Sequence, residues 1–420
     1  MEFDEVYRQI IKPAVSAASM TCIRADEDEI AAIIHKSMFE RLMLCPYAVA
    51  DLTMANANVF YELGIRHAMR PWSTVLVCAE TFGLPFDLKP MPVIRYRVDD
   101  KGKPVADPDI HATLVERLDK SRKRSVDSPL FDLFPALPQA DTSAMNTDAF
   151  RGRMQQSERL QQRLMAGRTL TDIERVRAEL GDLGDHDDGV LIALLLAYRR
   201  LRHYEAMITT IATMPDHLTA TALVRGLRAF AHNRIEPGSV EAEAELVQLD
   251  REFGPDGEIL GLLGRVYKDR WLKDPTSRRG EAMRTKALST YQRGFEADWR
   301  NPYPGINAVH LMWMHDRTDP RLAELLPVVE YSTRRRVDGG SGDYWDLATM
   351  LEICLYRDDL PGALRWLNRV LETEPRSMEA ETTLQTILRI RERLGGDGTE
   401  WATLIAEFHS IAQPSPRKPT

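Results

Sequence analysis

Asp51 and Glu62 are the residues whose type and spacing could do chemistry in this chain. They bracket the run Ala50-Asp-Leu-Thr-Met-Ala-Asn-Ala-Asn-Val-Phe-Tyr-Glu-Leu-Gly-Ile-Arg-His-Ala. Tyr47 to Leu52 reads as a short strand and Asn58 to Met69 as a helix. Asp51 thus stands at a strand's carboxyl end, where open α/β sheets place their ligands. Asn56 and Asn58 fall in the loop between, with Asn58 placed to cap the helix. Glu62 lies in the first turn or just beyond, where the helix dipole favours the ionised form that a nucleophile or general base needs. Two carboxylates facing one crevice can cleave a glycosidic bond: one attacks or stabilises the anomeric carbon, and the other positions the sugar or handles a proton. Arg66, one turn after Glu62, could orient that carboxylate, bind a phosphate, or form an ordinary intrahelical ion pair. Arg24 and Asp26, ending the preceding strand, belong either to a pocket rim or to ion pairs.

Other chemistry is weakly signalled. His35 and His67 are single histidines on helices, a pattern that more often marks a polar surface or half-buried residue than an acid–base group. Tyr61 could stack on a base, but core packing is the better reading. There is no HExxH motif, no paired Cys/His spacing and no GxxxxGK loop, so neither a metal nor a cofactor is expected.

These residues must be positioned by short alternating elements. Phe3, Val6, Tyr7, Ile10, Ile11, Ala14 and Val15 recur at helical spacing, Thr21 to Ala25 reads as a strand, and Ile30 to Met43 forms a second helical stripe. Thr74 to Ala79 is a buried strand, Val93 to Val98 the last strand, and Pro108 to Arg122 a helix. The fold expected is a parallel α/β sheet covered on both faces.

Beyond it the character changes. Residues 124–149 hold Ser-Pro, Phe-Pro and Leu-Pro steps and read as a linker. Residues 150–412 are helical almost throughout, and 413–420 form a loose tail. The helical part repeats itself weakly. Leu263, Gly264 and Tyr267, then Ala287, Tyr291 and Pro302, fit the tetratricopeptide template, in which small residues sit where paired helices approach closely. Leu347 to Cys354 with Ala363, Leu367 and Pro375 makes a second copy, and Leu194 to Pro215 a poorer one. The tryptophans of this region read as packing between helices, and the Ser332 to Arg336 run as a solvated helix end.

A net charge of −8 argues against a long-range field drawing the chain onto nucleic acid. No apolar run approaches the ~20 residues of a membrane span. The start, Met1 followed by Glu-Phe-Asp-Glu, is no secretory signal, and four scattered cysteines read as reduced thiols. A cytoplasmic protein is expected.

The run from Asp51 to Gly64 resembles the signature of nucleoside 2-deoxyribosyltransferase-like domains, relatives of the TIR fold. Phe3-Asp-x-Val-Tyr, Ile11-Lys-Pro, Ile23-Arg-Ala-Asp and Ile34-His-Lys-x-Met look like a bacterial branch of that group. The resemblance implies that Glu62 takes the sugar and Asp51 helps hold it. The resemblance implies a sheet of flavodoxin or TIR type; members of the group have one more strand, ending in a Met-Pro-Phe-like turn, before the helix at which this chain begins, so either the start is truncated or the crevice lacks a wall. The helical part is similar to the TRAFs-binding region of apoptosis signal-regulating kinases, through Leu262-Leu-Gly-Arg-Val-Tyr-Lys-Asp-Arg-Trp, Tyr291-Gln-Arg-Gly-Phe-Glu-Ala-Asp, Tyr303-Pro-Gly-Ile-Asn-Ala and Tyr344-Trp-Asp-Leu-Ala-Thr.

The resemblances together imply a signalling, stress or defence protein. Its domains are 1–123 (deoxyribosyltransferase-like) and 150–412 (tetratricopeptide-like). The catalytic reading is cleavage or transfer of the N-glycosidic bond of a nucleoside, nucleotide or NAD-like ligand through Glu62 and Asp51, with Asn58, Asn56, Arg24, Asp26 and Arg66 around the ligand. The alternative is a non-catalytic nucleotide sensor and interaction scaffold. Either way a protein partner sits on the repeats, a homo-oligomer is allowed, and neither nucleic acid nor membrane is a partner.

Overall fold

The computed structural model describes residues 3–22, 24, 35–99, 102–122, 126–140, 147–338 and 342–412. The chain divides into two compact units, Met1–Thr221 and Ala222–Thr420.

The first unit begins with a helix, α1, that runs through Phe3–Val6, a π-helical stretch Tyr7–Ile11, and Lys12–Ala17. Next come α2 (His35–Leu44), β1 (Ala48–Asp51), α3 (Ala57–Met69), β2 (Thr74–Ala79), β3 (Val93–Tyr96) and α4 (Pro108–Ser121). The strands form a parallel sheet in the order β1-β2-β3, with Ala48 opposite Thr74 and Leu76 opposite Val93. Parallel strands need crossovers, and the alternation of helix and strand supplies them. Every residue of the central strand β2 is buried. This is why Thr-Val-Leu-Val-Cys-Ala is a nearly unbroken apolar run rather than an alternating one. One face of the sheet packs Val75, Val77, Ile94 and Tyr96 against Val6, Ile10 and Ala14 of α1 and Leu114 and Leu118 of α4. The other packs Leu76 and Cys78 with Leu52 and with Leu63 of α3. The expected sheet covered on both faces is therefore present, in small form.

Two expectations change. Thr21, Cys22 and Arg24 carry no strand, while Ile23 and Ala25 lie outside the described residues. Arg24 instead pairs with Asp4 at 2.7 Å and stacks over the Tyr7 ring. A five-residue run has the propensity for a strand, but pairing decides whether it becomes one. The segment 124–149 is not a plain linker. Its residues 126–140 include the short helix α5 (Pro129–Leu133), which buries Phe131. Asp127 accepts the Thr74 backbone N–H at 2.8 Å, and the Ser128 hydroxyl donates to the His67 carbonyl at 2.8 Å. Those polar side chains strap the segment to the amino end of β2.

The unit continues in α6 (Thr147–Ala166), α7 (Leu170–Leu180), α8 (Asp188–Arg200), α9 (Tyr204–Ile211) and α10 (Asp216–Thr219). α8 is buried on nearly every side, which explains its continuous apolar run.

The second unit is a succession of helix pairs: α11 (Ala222–Ile235) with α12 (Val240–Phe253), α13 (Gly257–Lys273) with α14 (Arg278–Ala297), α15 (Pro302–His315) with α16 (Arg321–Asp338), α17 (Tyr344–Tyr356) with α18 (Leu360–Leu371), and α19 (Ser377–Leu394) with α20 (Thr399–Ala412). A continuous core runs from Ala229 to Phe408. A Cβ on Gly264 would lie 2.8 Å from the Tyr291 ring, and one on Gly305 would lie 2.6 Å from Val329. The small residues therefore stand where paired helices approach, as the repeat template requires. The α15–α16 pair carries no template copy of its own and is regular all the same. Among the described residues, no helix is long and apolar enough to cross a membrane.

Candidate functional site

The ligand edge of the sheet is organised by a ring of three side chains. Asp51 ends β1, Tyr96 ends β3, and Thr53 sits in the 3₁₀ turn Thr53–Ala55 that follows β1. Thr53 Oγ1 lies 2.6 Å from Asp51 Oδ1 and 2.9 Å from Tyr96 Oη, and Tyr96 Oη lies 2.7 Å from Asp51 Oδ2. Thr53 Oγ1 also accepts the Ala79 backbone N–H at 2.9 Å, so the ends of all three strands are tied through one hydroxyl. Asp51 Oδ1 also accepts the Thr53 backbone N–H at 3.0 Å, so the carboxyl takes three donors. Burial already raises the Asp51 pKa, against the lowering effect of the Thr53 and Tyr96 hydrogen bonds. Desolvation outweighs those bonds.

The turn after Asp51 is a strained one. Met54 and Ala55 have φ of 67° and 51°, the left-handed region that non-glycine residues seldom occupy. It costs about 1–3 kcal/mol per residue and persists only when its surroundings over-determine it. Here the Asp51–Thr53 bonds hold one end. At the other end the Asn56 side chain accepts the Asn58 N–H at 2.9 Å. Asn56, not Asn58, is therefore the helix cap, because α3 begins at Ala57. Asn58 is exposed in the first turn, and Glu62 is half-buried in the second.

Asp51, Asn56 and Asn58 are thus grouped about the start of α3. Arg66 is not with them. Ten residues into α3, it lies at the amino ends of the strands, wholly buried, and its guanidinium faces the protein interior. Its Nη1 donates to the Leu42 and Cys45 carbonyls, both at 2.7 Å, and its Nη2 to the Pro46 carbonyl at 3.0 Å and to Ser73 Oγ at 2.9 Å. Burial lowers its pKa to about 10. The phosphate-binding role and the intrahelical pair are replaced by a cage of carbonyls. Next to it His67 is buried, and desolvation followed by the Arg66 charge brings its pKa down to about 4, so the imidazole is neutral. Tyr61, expected in the core, is 59% exposed and meets Phe39 edge-on. Of the two readings of Arg24, the ion pair is the one seen. Asp26 lies outside the described residues. Tyr96 and Thr53 were not singled out by sequence, although a tyrosine closing a buried strand needs a partner for its hydroxyl.

The MAP3K TRAFs-binding domain model matches residues 59–398, a span that takes in α3 and ends just past α19. The chain belongs to the MAP3K TRAFs-binding domain family. It is 23% identical over 231 residues to mitogen-activated protein kinase kinase kinase 15 of Mus musculus, which covers 52% of this chain and 17% of the kinase. It is 25% identical over 223 residues to mitogen-activated protein kinase kinase kinase nsy-1 of Caenorhabditis elegans, 48% of this chain and 14% of that kinase. This member of the family therefore aligns with less than a fifth of either kinase. Its match begins at residue 59, so the family's span takes in α3 from its third residue on.

Proposed function

We propose that this chain is a non-catalytic scaffold of kinase-type signalling whose helix pairs recruit a protein partner of TRAF type. The observation that carries the reading is the family match over residues 59–398, whose described function is TRAF binding. A stack of helix pairs suits that task, since successive repeats present a long surface without a catalytic centre.

On this reading Asp51 is a structural carboxyl and Asn56 a helix cap. Glu62, which the catalytic reading makes a nucleophile, is a half-buried carboxylate of α3 with no catalytic part. What supports it is the ring around Asp51: a carboxyl whose oxygens are both engaged by Thr53 and Tyr96 is poorly placed to hold a sugar. The purified chain is expected to bind an isolated TRAF domain saturably, followed by calorimetry, and to release no base from a panel of nucleosides, nucleotides and NAD. Absence of binding to every TRAF domain tried would overturn the recruitment role. Base release that Glu62→Gln abolishes would overturn the non-catalytic one and restore the N-glycosidase reading.

A further inference from the structure

In the second unit α13, α15, α17 and α19, the first helices of consecutive pairs, touch one another in order. Polar side chains bridge them across an otherwise apolar stack. Lys268 Nζ on α13 donates to Asn307 Oδ1 on α15 at 2.9 Å, His310 Nδ1 on α15 lies 2.9 Å from Tyr356 Oη on α17, and Tyr344 Oη on α17 lies 2.8 Å from Thr383 Oγ1 on α19. A helix stack held together by apolar contacts has no need of such a file of polar groups, each of which must be desolvated.

The charges in the file do not balance. Arg265 and Lys268 of α13 and Arg389 of α19 face Asp269 and Glu352. Asp269 is already taken: one oxygen accepts Arg265 Nε at 2.8 Å and the other accepts Asn233 Nδ2 at 2.8 Å. That leaves both Nη groups of Arg265 and the whole Arg389 guanidinium with no hydrogen bond or ion pair among the described residues. The strain is visible in the neighbours. Burial, then the charges of Arg265 and Arg389, lower the Lys268 pKa. Burial and then Arg265 lower that of Arg389. His310 is held neutral by burial and by Lys268 and Arg389. A guanidinium with idle donors next to a second one is an oxyanion site in waiting, since planar forks match carboxylate and phosphate in two-point contacts.

The rim favours a peptide over a small ion. Tyr303 on α15 is one and two turns from Asn307 and His310, Trp345 on α17 is two turns from Glu352, and each is 41% exposed. Large aromatic side chains in the open beside a charged floor offer area to an apolar side chain of a ligand.

We propose that the α13–α15–α17–α19 file is the docking groove for an acidic peptide segment of the protein partner, with a ligand carboxylate between Arg265 and Arg389 and an apolar neighbour on Tyr303 and Trp345. The assignment rests on the scaffold reading above and adds to it the chemistry of the partner.

The test uses the full chain and a fluorescein-labelled twelve-residue peptide in which Glu alternates with Leu, beside the same peptide with Gln for Glu and beside inorganic phosphate. The Glu peptide is expected to bind saturably and more weakly as salt rises, and the Gln peptide to bind at least about tenfold more weakly, the loss of one good charged contact. Arg265→Gln and Arg389→Gln should each weaken the Glu peptide by about tenfold. Arg389→Gln should do so without lowering the melting temperature, because it removes an unpaired cation rather than a bond. Equal binding of both peptides, unchanged binding by both variants, phosphate binding without peptide binding, or a large fall in melting temperature in Arg389→Gln would each overturn the assignment. A TRAF-domain complex that forms equally with wild type and both variants would remove the groove while leaving the scaffold; loss of that complex in wild type would remove the scaffold itself.

Discussion

The Tyr96 hydroxyl lies 2.7 Å from Asp51 Oδ2, across the whole width of a three-stranded sheet. It joins the carboxyl ends of the two outer strands over the top of the central one. Tyr96→Phe keeps the buried ring and removes the bond, so a loss of about 1–2 kcal/mol is expected, read from the melting of the first unit. Asp51→Asn is the informative companion. An amide has the shape of the carboxyl, keeps an acceptor for the Thr53 groups and carries no charge to desolvate. Because the folded carboxyl has a raised pKa, its contribution is complete below the ordinary carboxylate range and is lost as pH rises through the raised value. Asp51→Asn should therefore flatten the pH dependence of stability, followed by melts across the acidic range; a pH dependence as steep as that of wild type would contradict the raised pKa.

Arg66 should be irreplaceable. Its guanidinium serves the Leu42, Cys45 and Pro46 carbonyls and Ser73 Oγ. Lysine offers one point charge where a planar fork is needed. Arg66→Lys leaves buried carbonyls without donors, and a loss of roughly 3 kcal/mol or more is expected. Hydrogen exchange at the β2 amides, faster in Arg66→Lys than in wild type by a hundredfold or so, is the measurement; unaltered protection would refute the cage.

Asp127 provides a second pH-dependent contact. Burial raises its pKa to about 6, more than the Thr74 and Ser73 backbone N–H groups lower it. A raised folded value means that the stabilisation is full below the ordinary carboxylate range and disappears as pH climbs through about 6. A carbon-detected titration of Asp127 should show a midpoint near 6. In Asp127→Asn the Ser128–His67 strap should persist, and stability should change less between pH 4.5 and 7.5 than in wild type, where about 1 kcal/mol is at stake after allowance for partial exposure. A midpoint in the ordinary carboxylate range would refute the burial argument.

Gly64 and Gly264 each follow a leucine on a helix and respond oppositely to the same change. A Cβ at Gly64 meets nothing within 4 Å, whereas one at Gly264 meets the Tyr291 ring at 2.8 Å. Gly64→Ala should stabilise α3 by about 0.5–1 kcal/mol through backbone entropy alone. Gly264→Ala should cost about 1–3 kcal/mol by forcing α13 from α14. Thermal melts of the two variants separate the cases, and shifts of the same sign would show that the helices are not in register as described.

The same pair shows how far local pattern reaches. Apolar periodicity located α3 within a residue of its observed start and marked positions within the α13–α14 and α17–α18 pairs, because 3.6-residue spacing and small residues are properties of short segments. It also identified β2, whose burial on both faces is written in its own composition. It read a strand at Thr21 to Ala25, where Thr21, Cys22 and Arg24 carry none, and it assigned Arg66 to the wrong end of the sheet. Helix spacing states which residues share a face. It does not state what that face meets.

The candidate site divides in the same way. The order of Asp51, Asn56, Asn58 and Glu62 and the helical character of the later part followed from the chain itself, since each depends on residues close in sequence, whereas the division into two units falls after Thr221 and not in the 124–149 segment. Tertiary structure alone decided that Asp51 closes on Tyr96, 45 residues away, and that Arg265, Lys268 and Arg389 come from helices up to 124 residues apart to share one file. Those meetings set desolvation and therefore charge, and a side chain's charge state depends on what surrounds it rather than on what it is.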